Sequence, residues 1–306
     1  MIKIVNKNPI LGEYDNGNYH VTIYEDGTKV RETFDEDATE FIAEYPECMD
    51  VKITNRCEKG CSWCHENSTP DGEHGEILTA KFWDTLKPYT EIAIGGGNPL
   101  EHPDLVTFLI KLKNLKLIPN MTVNQTHFMQ NWALLKFLCE EKLIYGLGVS
   151  LVDANDEFIA KVKEFPNAVI HIINGVVTKE QLDKMADNNL KVLILGYKNF
   201  RRGVKYYEEF SENVDKNKKM LYDYLEEMLT KFHVVSFDNL ALEQLEVKRL
   251  LTEEEWNEFY MGNDGKYTMY IDLVKEQFAL CSVAEERFDL LEDIKPMFEK
   301  VKSLNV

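Results

Sequence analysis

The segment Asn55-Arg56-Cys57-Glu58-Lys59-Gly60-Cys61-Ser62-Trp63-Cys64-His65 sets three thiols at C-x3-C-x2-C spacing. Thiolates are soft ligands suited to iron–sulfur clusters and zinc, and spacing this tight lets one loop wrap one compact metal centre. Three ligands leave either a tetrahedral zinc or a four-iron cluster one ligand short. A zinc site would take its fourth ligand from elsewhere: His65 adjoins Cys64 too closely for both to reach one ion, whereas a distant residue such as His74 could serve. A cluster would keep one iron open for another ligand. Three unligated cysteines are the third reading, and it runs against the tendency of free thiols to be dispersed in cores.

A second segment offers backbone rather than side chains. In Ile92-Ala93-Ile94-Gly95-Gly96-Gly97-Asn98-Pro99-Leu100-Glu101, three glycines close an apolar run. Without Cβ atoms, their backbone can approach a ligand closely, and their carbonyls can accept from an ammonium group. The plainer reading is a flexible turn.

The elements that position these segments follow from periodicity. Residues 19–24 alternate, Asp26-Gly27 supplies a turn, and residues 28–33 return, which predicts an N-terminal β-hairpin. Then short apolar runs alternate with amphipathic stretches. Strands are expected at 50–54, 91–94, 120–123, 146–151, 169–173 and 192–195, with helices at 80–86, 103–113, 131–141, 156–164 and 179–188. Six strand–helix units with right-handed crossovers build an open doubly wound sheet or a curved partial barrel, with ligands at the carboxyl ends of the strands. The cysteines follow the first of these strands. Beyond Arg201 come a long helix at 206–231, a strand at 234–237, a helix at 240–251, a hairpin turning at Asn263-Asp264-Gly265 and a final helix at 290–303. The expected division is 1–48 (hairpin and lead-in helix), 49–203 (α/β core) and 204–306 (a smaller C-terminal α+β layer packed on the core).

Composition narrows the class. In 306 residues, 53 Asp and Glu face 35 Lys and Arg, a net charge of −18, which disfavours binding to nucleic-acid phosphates. Hydrophobic residues at 44% and charged ones at 29% lie in the globular range. No apolar run reaches the ~18 residues of a membrane span, and residues 1–6 lack the apolar core of an export signal, so a cytoplasmic protein is expected. Six cysteines are too few for a disulfide scaffold in a chain of this length. Cys139 reads as a core thiol, and Cys48 and Cys281 stand alone, so auxiliary clusters are not expected.

The cysteine segment, with Trp63 just before the third thiol and the glycine segment one strand later, resembles the radical S-adenosylmethionine enzymes over residues 49–200. The resemblance implies a partial (β/α)6 barrel in which Cys57, Cys61 and Cys64 hold a [4Fe–4S] cluster. Its open iron would bind S-adenosylmethionine, with Trp63 near the adenine and Gly95, Gly96, Gly97 and Asn98 along the methionine part. Asn98 departs from the family's usual Glu and lacks its charge. Asn124 and Ser150 occupy places where similar enzymes offer polar groups to the ribose and carboxylate; Leu195 and Gly196 resemble the backbone lining the adenine, with Asn174 beside it. The chemistry implied is reductive cleavage of S-adenosylmethionine, with an electron from a flavodoxin- or ferredoxin-type donor, to a 5′-deoxyadenosyl radical that takes hydrogen from the substrate.

Substrate identity is less constrained. A peptide or protein side chain is the first expectation, presented to strand edges of the two hairpins. A small anionic metabolite, a nucleotide or pterin precursor gripped by Lys198, Arg201 and Arg202, is the second. A zinc-stabilised binding protein without enzymatic activity is the alternative of another class.

Overall fold

The computed structural model describes residues 7–305; the expectation of no export signal at residues 1–6 lies outside the described residues. The chain opens with β1 (Ile10–Asn16), β2 (Tyr19–Tyr24) and β3 (Lys29–Thr33), an antiparallel sheet one strand larger than the expected hairpin. No lead-in helix follows. Segment 34–47 is irregular because asparagine side chains take over its backbone hydrogen bonds: Asn16 Oδ1 accepts from Glu44 and Tyr45 N–H at 2.9 and 3.0 Å, and Asn18 Oδ1 accepts from Ile42 N–H at 2.7 Å.

The main sheet is built from β4 (Cys48–Thr54), β5 (Glu91–Gly96), β6 (Ile118–Asn124), β7 (Gly146–Ser150), β8 (Ala168–Ile173) and β9 (Lys191–Leu195), paired in parallel and in sequence order. Their crossovers carry α1 (Leu105–Asn114), α2 (Gln125–Gln130) with α3 (Trp132–Glu140), α4 (Asp156–Val162) and α5 (Lys179–Met185). The first crossover holds only a 3-10 helix at Lys81–Thr85, where an α-helix was expected. Caps define several helix starts: Asn155 Oδ1 accepts from Phe158 N–H, and Thr178 forms a capping box with Gln181.

The C-terminal third does not form a separate layer. After α6 (Arg202–Lys231), which bends at Phe210, β10 (Val234–Phe237) adds in parallel beside β9. Then α7 (Asn239–Gln244) and α8 (Glu253–Phe259) lead to β11 (Thr268–Asp272), which lies parallel to β4 at the other edge. The expected hairpin exists but turns later than Asn263-Asp264-Gly265, between β11 and β12 (Gln277–Ala279), with β13 (Phe288–Asp289) outside them and α9 (Ile294–Lys302) last. The result is one ten-stranded, mostly parallel sheet.

Strand alternation separates two environments. Val51, Ile53, Ile92, Ile94, Met121, Val123, Leu147, Val149, Ile170, Ile172, Val192 and Ile194 are buried in one core with Phe108, Leu138, Phe158, Leu182 and Leu225 of the helices. Each such side chain contributes on the order of 2 kcal/mol on removal from water. The intervening positions, among them Asp50, Ala93, Gly95, Asn120, Thr122, Gly148, His171, Leu193 and Leu195, line a cavity of about 980 Å³. Residues 23–28 of the N-terminal sheet close one end of it. That sheet is locked to the core by buried ions: Arg31 Nε and Nη2 reach Glu47 at 2.8 and 2.9 Å, Lys29 Nζ bridges Glu47 and Glu91 at 3.2 and 2.7 Å, and Tyr19 O–H donates to Glu47 at 2.5 Å.

Candidate functional site

The cysteine loop leaves β4 at the carboxyl end of the sheet and is closed at its base by backbone pairing. Asn55 N–H donates to Glu73 O and Cys57 N–H to Thr69 O, each at 2.8 Å, and Gly75 N–H returns to Ile53 O at 2.9 Å. Cys57, Cys61 and Cys64 are all half-buried free thiols in this loop. Burial pushes the Cys57 and Cys61 thiols up, and the charge of Cys64 adds to both, so the three sulfurs lie within one another's field. Backbone N–H groups of Lys59 and Gly60 act in the opposite direction on Cys57, as donors to its sulfur. Gly60 makes that turn with φ +65°, a conformation that favours glycine.

The glycine segment is packed against this loop's root. Gly97 N–H donates to Thr54 O and Asn98 N–H to Arg56 O, both at 2.7 Å. A Cβ on Gly96 would stand 2.5 Å from Thr54 O, and one on Gly97 would stand 2.1 Å from Arg56 O. Gly95 differs: a Cβ there would meet nothing within 4 Å, and the residue faces the cavity. The three glycines therefore divide their tasks, two joining strand to strand and one leaving room.

Asn124, Ser150 and His171 stand in register across the ends of β6, β7 and β8. Asn124 Nδ2 lies 4.0 Å from Cys61 Sγ, while its Oδ1 caps α2 by accepting from Thr126 N–H at 2.9 Å. Trp63 packs edge-on against Tyr206 of α6, with ring centroids 5.3 Å apart. Leu195 lines the cavity, but the backbone after it is turned away from open space: Gly196 N–H donates to Asp238 Oδ1 and Tyr197 N–H to Gln244 Oε1, each at 2.9 Å. Asn174 is buried and donates to the same Gln244 at 2.9 Å, so its amide group faces α7 and not the cavity. Asn98 likewise turns inward, donating to Glu101 Oε1 at 2.9 Å and accepting from Leu100 N–H at 3.3 Å.

The three cations expected at the mouth separate. Lys198 lines the cavity, with Nζ 3.1 Å from Ser282 Oγ and 3.5 Å from His65 Nε2. Arg201 and Arg202 do not face it; they donate to the cysteine loop, Arg201 to the carbonyls of His65 and Glu66 and Arg202 to those of Cys61 and Ser68 and to the Asn67 side chain. Their charge was legible in the sequence, but their partners lie far back along the chain.

Sequence reasoning missed the charged groups beneath the loop. Lys52, 3% exposed on β4, pairs with Glu66 at 2.9 Å and with Asp272 of β11 at 3.5 Å. Tyr270 O–H donates to Glu66 at 3.2 Å. A lysine between valine and isoleucine on an apolar strand was the available signal. Desolvation within the cavity raises Asp50 to a pKa of about 6 against the opposing pull of Lys198, with Asp264, Asp238 and Glu66 adding to the rise. Burial and Lys198 lower His65 to about 3, so its imidazole is neutral. A second cavity of about 710 Å³ shares Asp50, Lys198, Asp238 and Ser282 with the first.

Among the described residues, no three His, Cys, Asp or Glu side chains converge on a point that one metal ion could occupy. A four-iron cluster takes each thiolate on a different iron, so its ligands stand apart, whereas zinc draws all of its ligands onto one ion. His74, the distant residue considered for zinc, is engaged elsewhere, with Nδ1 2.9 Å from Thr54 Oγ1 and its ring against His102. The half-buried thiols, the amide donors at Cys57 and the room left at Gly95 fit the cluster and a ligand beside it.

No protein-family model and no curated protein matches the chain. Solved structures do. Streptococcus suis SuiB bound to precursor peptide SuiA aligns with a TM-score of 0.55 and 17% identity, over 86% of this chain and 68% of that one. The fold is that of SuiB. SuiB bound to S-adenosylmethionine gives a TM-score of 0.53 at 17% identity, over 84% of this chain and 64% of SuiB. A further structure of SuiB gives a TM-score of 0.51 at 16% identity, over 86% of this chain and 69% of SuiB. The chain thus spans about two thirds of the length of SuiB. The cavity runs along the sheet from Glu91, Ile118 and Lys191 at the amino ends of their strands to Gly95 and Leu195 at the carboxyl ends, the side on which α/β proteins bind ligands. No helix among the described residues is long and apolar enough to cross a membrane.

Proposed function

We propose that this protein is a cytoplasmic radical S-adenosylmethionine enzyme that acts on a peptide, with the main sheet curved as a partial (β/α)6 barrel. The observation that carries the reading is the junction of the two motifs: Gly97 and Asn98 N–H groups bound to Thr54 and Arg56 carbonyls at 2.7 Å, directly before Cys57 and just after Gly95, which lines the large cavity. When bound, a [4Fe–4S] cluster with S-adenosylmethionine supplies a 5′-deoxyadenosyl radical after one-electron reduction by a flavodoxin- or ferredoxin-type donor.

Cys57, Cys61 and Cys64 would hold the cluster, their protons leaving as iron binds. Asn124, beside Cys61 Sγ, orients that sulfur from outside the ligand set. Gly95 leaves space for the methionine part of the cofactor, and Ser150 lines the same end of the sheet. Trp63, held edge-on by Tyr206, would flank the adenine. The apolar walls and the N-terminal sheet across one end exclude water from a reactive intermediate.

Two observations favour a peptide over a small anion. Arg201 and Arg202 are bound to the cysteine loop, which leaves Lys198 as the one cation of the expected trio facing the cavity. SuiB, which shares the fold, binds a precursor peptide.

The test is anaerobic purification and reconstitution of wild type and Cys61→Ala, followed by iron, sulfide and zinc analysis and S-adenosylmethionine cleavage under dithionite. About four irons per chain and 5′-deoxyadenosine formation that the substitution abolishes are expected. Stoichiometric zinc without iron would instead establish a binding module.

A further inference from the structure

We propose that Arg201 and Arg202 form a clamp that fixes the cysteine loop in its ligand-holding shape before any metal arrives. The inference rests on the reading that Cys57, Cys61 and Cys64 are the cluster ligands. Both arginines sit where β9 passes into α6, the far side of the site from the strand that carries the loop.

The contacts enclose the third cysteine. Arg202 donates from Nη1 to Cys61 O at 3.4 Å, from Nε to Asn67 Oδ1 at 3.0 Å and from Nη2 to Ser68 O at 2.8 Å. Arg201 Nη1 donates to His65 O at 3.2 Å and Glu66 O at 3.0 Å, and lies 3.5 Å from the Glu66 carboxylate. These acceptors flank Cys64 on both sides. Loop carbonyls in such a stretch have no ladder to join, and a planar fork of five N–H donors can satisfy several at once where an ammonium cannot.

Two further features show that the arrangement is held against a cost. Arg201 has φ +50° and ψ −115°, a backbone conformation rare outside glycine that persists where surroundings enforce it. Glu66, 6% exposed, takes its charge balance from Lys52 and Arg201 and accepts a hydrogen bond from the Tyr270 hydroxyl. The clamp thus joins the cysteine loop to β4, β11 and the start of α6 through one buried carboxylate.

The test is made on the full-length apo protein by hydrogen–deuterium exchange over residues 57–69, then by iron content and the electron paramagnetic resonance spectrum of the reduced, reconstituted protein. Arg202→Ala is expected to speed exchange in that loop at least about tenfold while β6 to β8 stay protected, in line with loss of a charged hydrogen-bond donor. Iron content falls and the spectrum broadens. Arg202→Lys recovers only part of the protection, and Asn67→Ala, which removes one acceptor, gives a smaller change of the same kind. Wild-type exchange and spectrum in Arg202→Ala would overturn the clamp, as would full recovery in Arg202→Lys. Should Arg202→Ala lose protection throughout, Arg202→Lys and Asn67→Ala decide by the same criteria. Failure of wild type to take up iron would overturn the cluster reading alone, because the exchange measurement needs no metal.

Discussion

Asn98 Nδ2 donates to Glu101 Oε1 at 2.9 Å, and the other oxygen of Glu101 receives Arg56 Nε at 3.2 Å. The residue that stands where similar enzymes carry a glutamate is therefore a donor to a glutamate three positions on. Asn98→Glu would set two carboxylates in contact at a position only 4% exposed. The expected result is a loss of about 1–3 kcal/mol in urea unfolding at pH 7.5, smaller at pH 4.5 where protonation relieves the repulsion. A variant as stable as wild type at pH 7.5 would contradict the assignment.

Gly97 and Gly95 separate packing from ligand space. Gly97→Ala drives a Cβ to 2.1 Å from the Arg56 carbonyl, and a cost of about 3 kcal/mol or more is expected as the loop root shifts. Gly95→Ala has open space around its Cβ and should melt with wild type. In the reconstituted protein the same methyl should weaken S-adenosylmethionine binding by roughly tenfold, about 1.4 kcal/mol, read by equilibrium dialysis. A lowered melting temperature for Gly95→Ala would count against this division.

His171 and Asp50 give opposite pH dependences. Burial lowers His171 to a pKa of about 4, so the folded state binds fewer protons than the unfolded state, where histidine titrates near 6.5. Its contribution is complete above 6.5 and is lost as pH falls toward 4, at no more than about 1.4 kcal/mol per pH unit. Wild type should lose urea resistance more steeply than His171→Gln between pH 6.5 and 4.5, and parallel curves would refute the assignment.

Asp50 lines the cavity, and partial desolvation there raises it to about 6, so the folded state holds its proton more tightly than the unfolded chain does. Stability tied to it is complete below the ordinary carboxyl range and is lost as pH rises through 6. Asp50→Asn is therefore expected to raise the urea midpoint at pH 7.5 and to leave it unchanged near pH 4. The reverse order of effects would show that Lys198 outweighs the desolvation.

Glu47 is 1% exposed and holds Lys29, Arg31 and Tyr19 together at the seam between the two sheets. Glu47→Ala leaves two buried cations without their shared partner, and a loss of about 3–5 kcal/mol is expected from chemical denaturation. Early proteolysis within residues 10–33 should accompany it, since the ionic ties of those strands to the core at this seam are then reduced to the Lys29–Glu91 pair at 2.7 Å.

The strand–helix alternation of the core was legible because its pairing is local: β4 to β9 lie in sequence order, and each apolar run announces its own strand. The cysteine and glycine motifs were legible as motifs, and their contact follows from β4 and β5 being neighbours. What periodicity could not carry was partnership across distance. Residues 268–272 look like any strand, and nothing local says that they lie against β4. Asn263-Asp264-Gly265 is a strong turn signal, yet Asn239 donates to Asp264 there and holds it as a loop ahead of β11. Arg201 and Arg202 displayed their charge but not their acceptors.

The placement of β11 sets an order on the birth of the molecule. As the ribosome releases the chain, β4 gains β5 almost at once, but its other edge offers unpaired N–H and C=O groups until residues 268–272 emerge. A nascent or truncated chain ending before Asp272 would carry the three cysteines on a strand with one bare flank, open to pairing with other chains. The cysteine loop therefore reaches its finished surroundings only when synthesis is nearly complete, and expression that outruns completion favours aggregation.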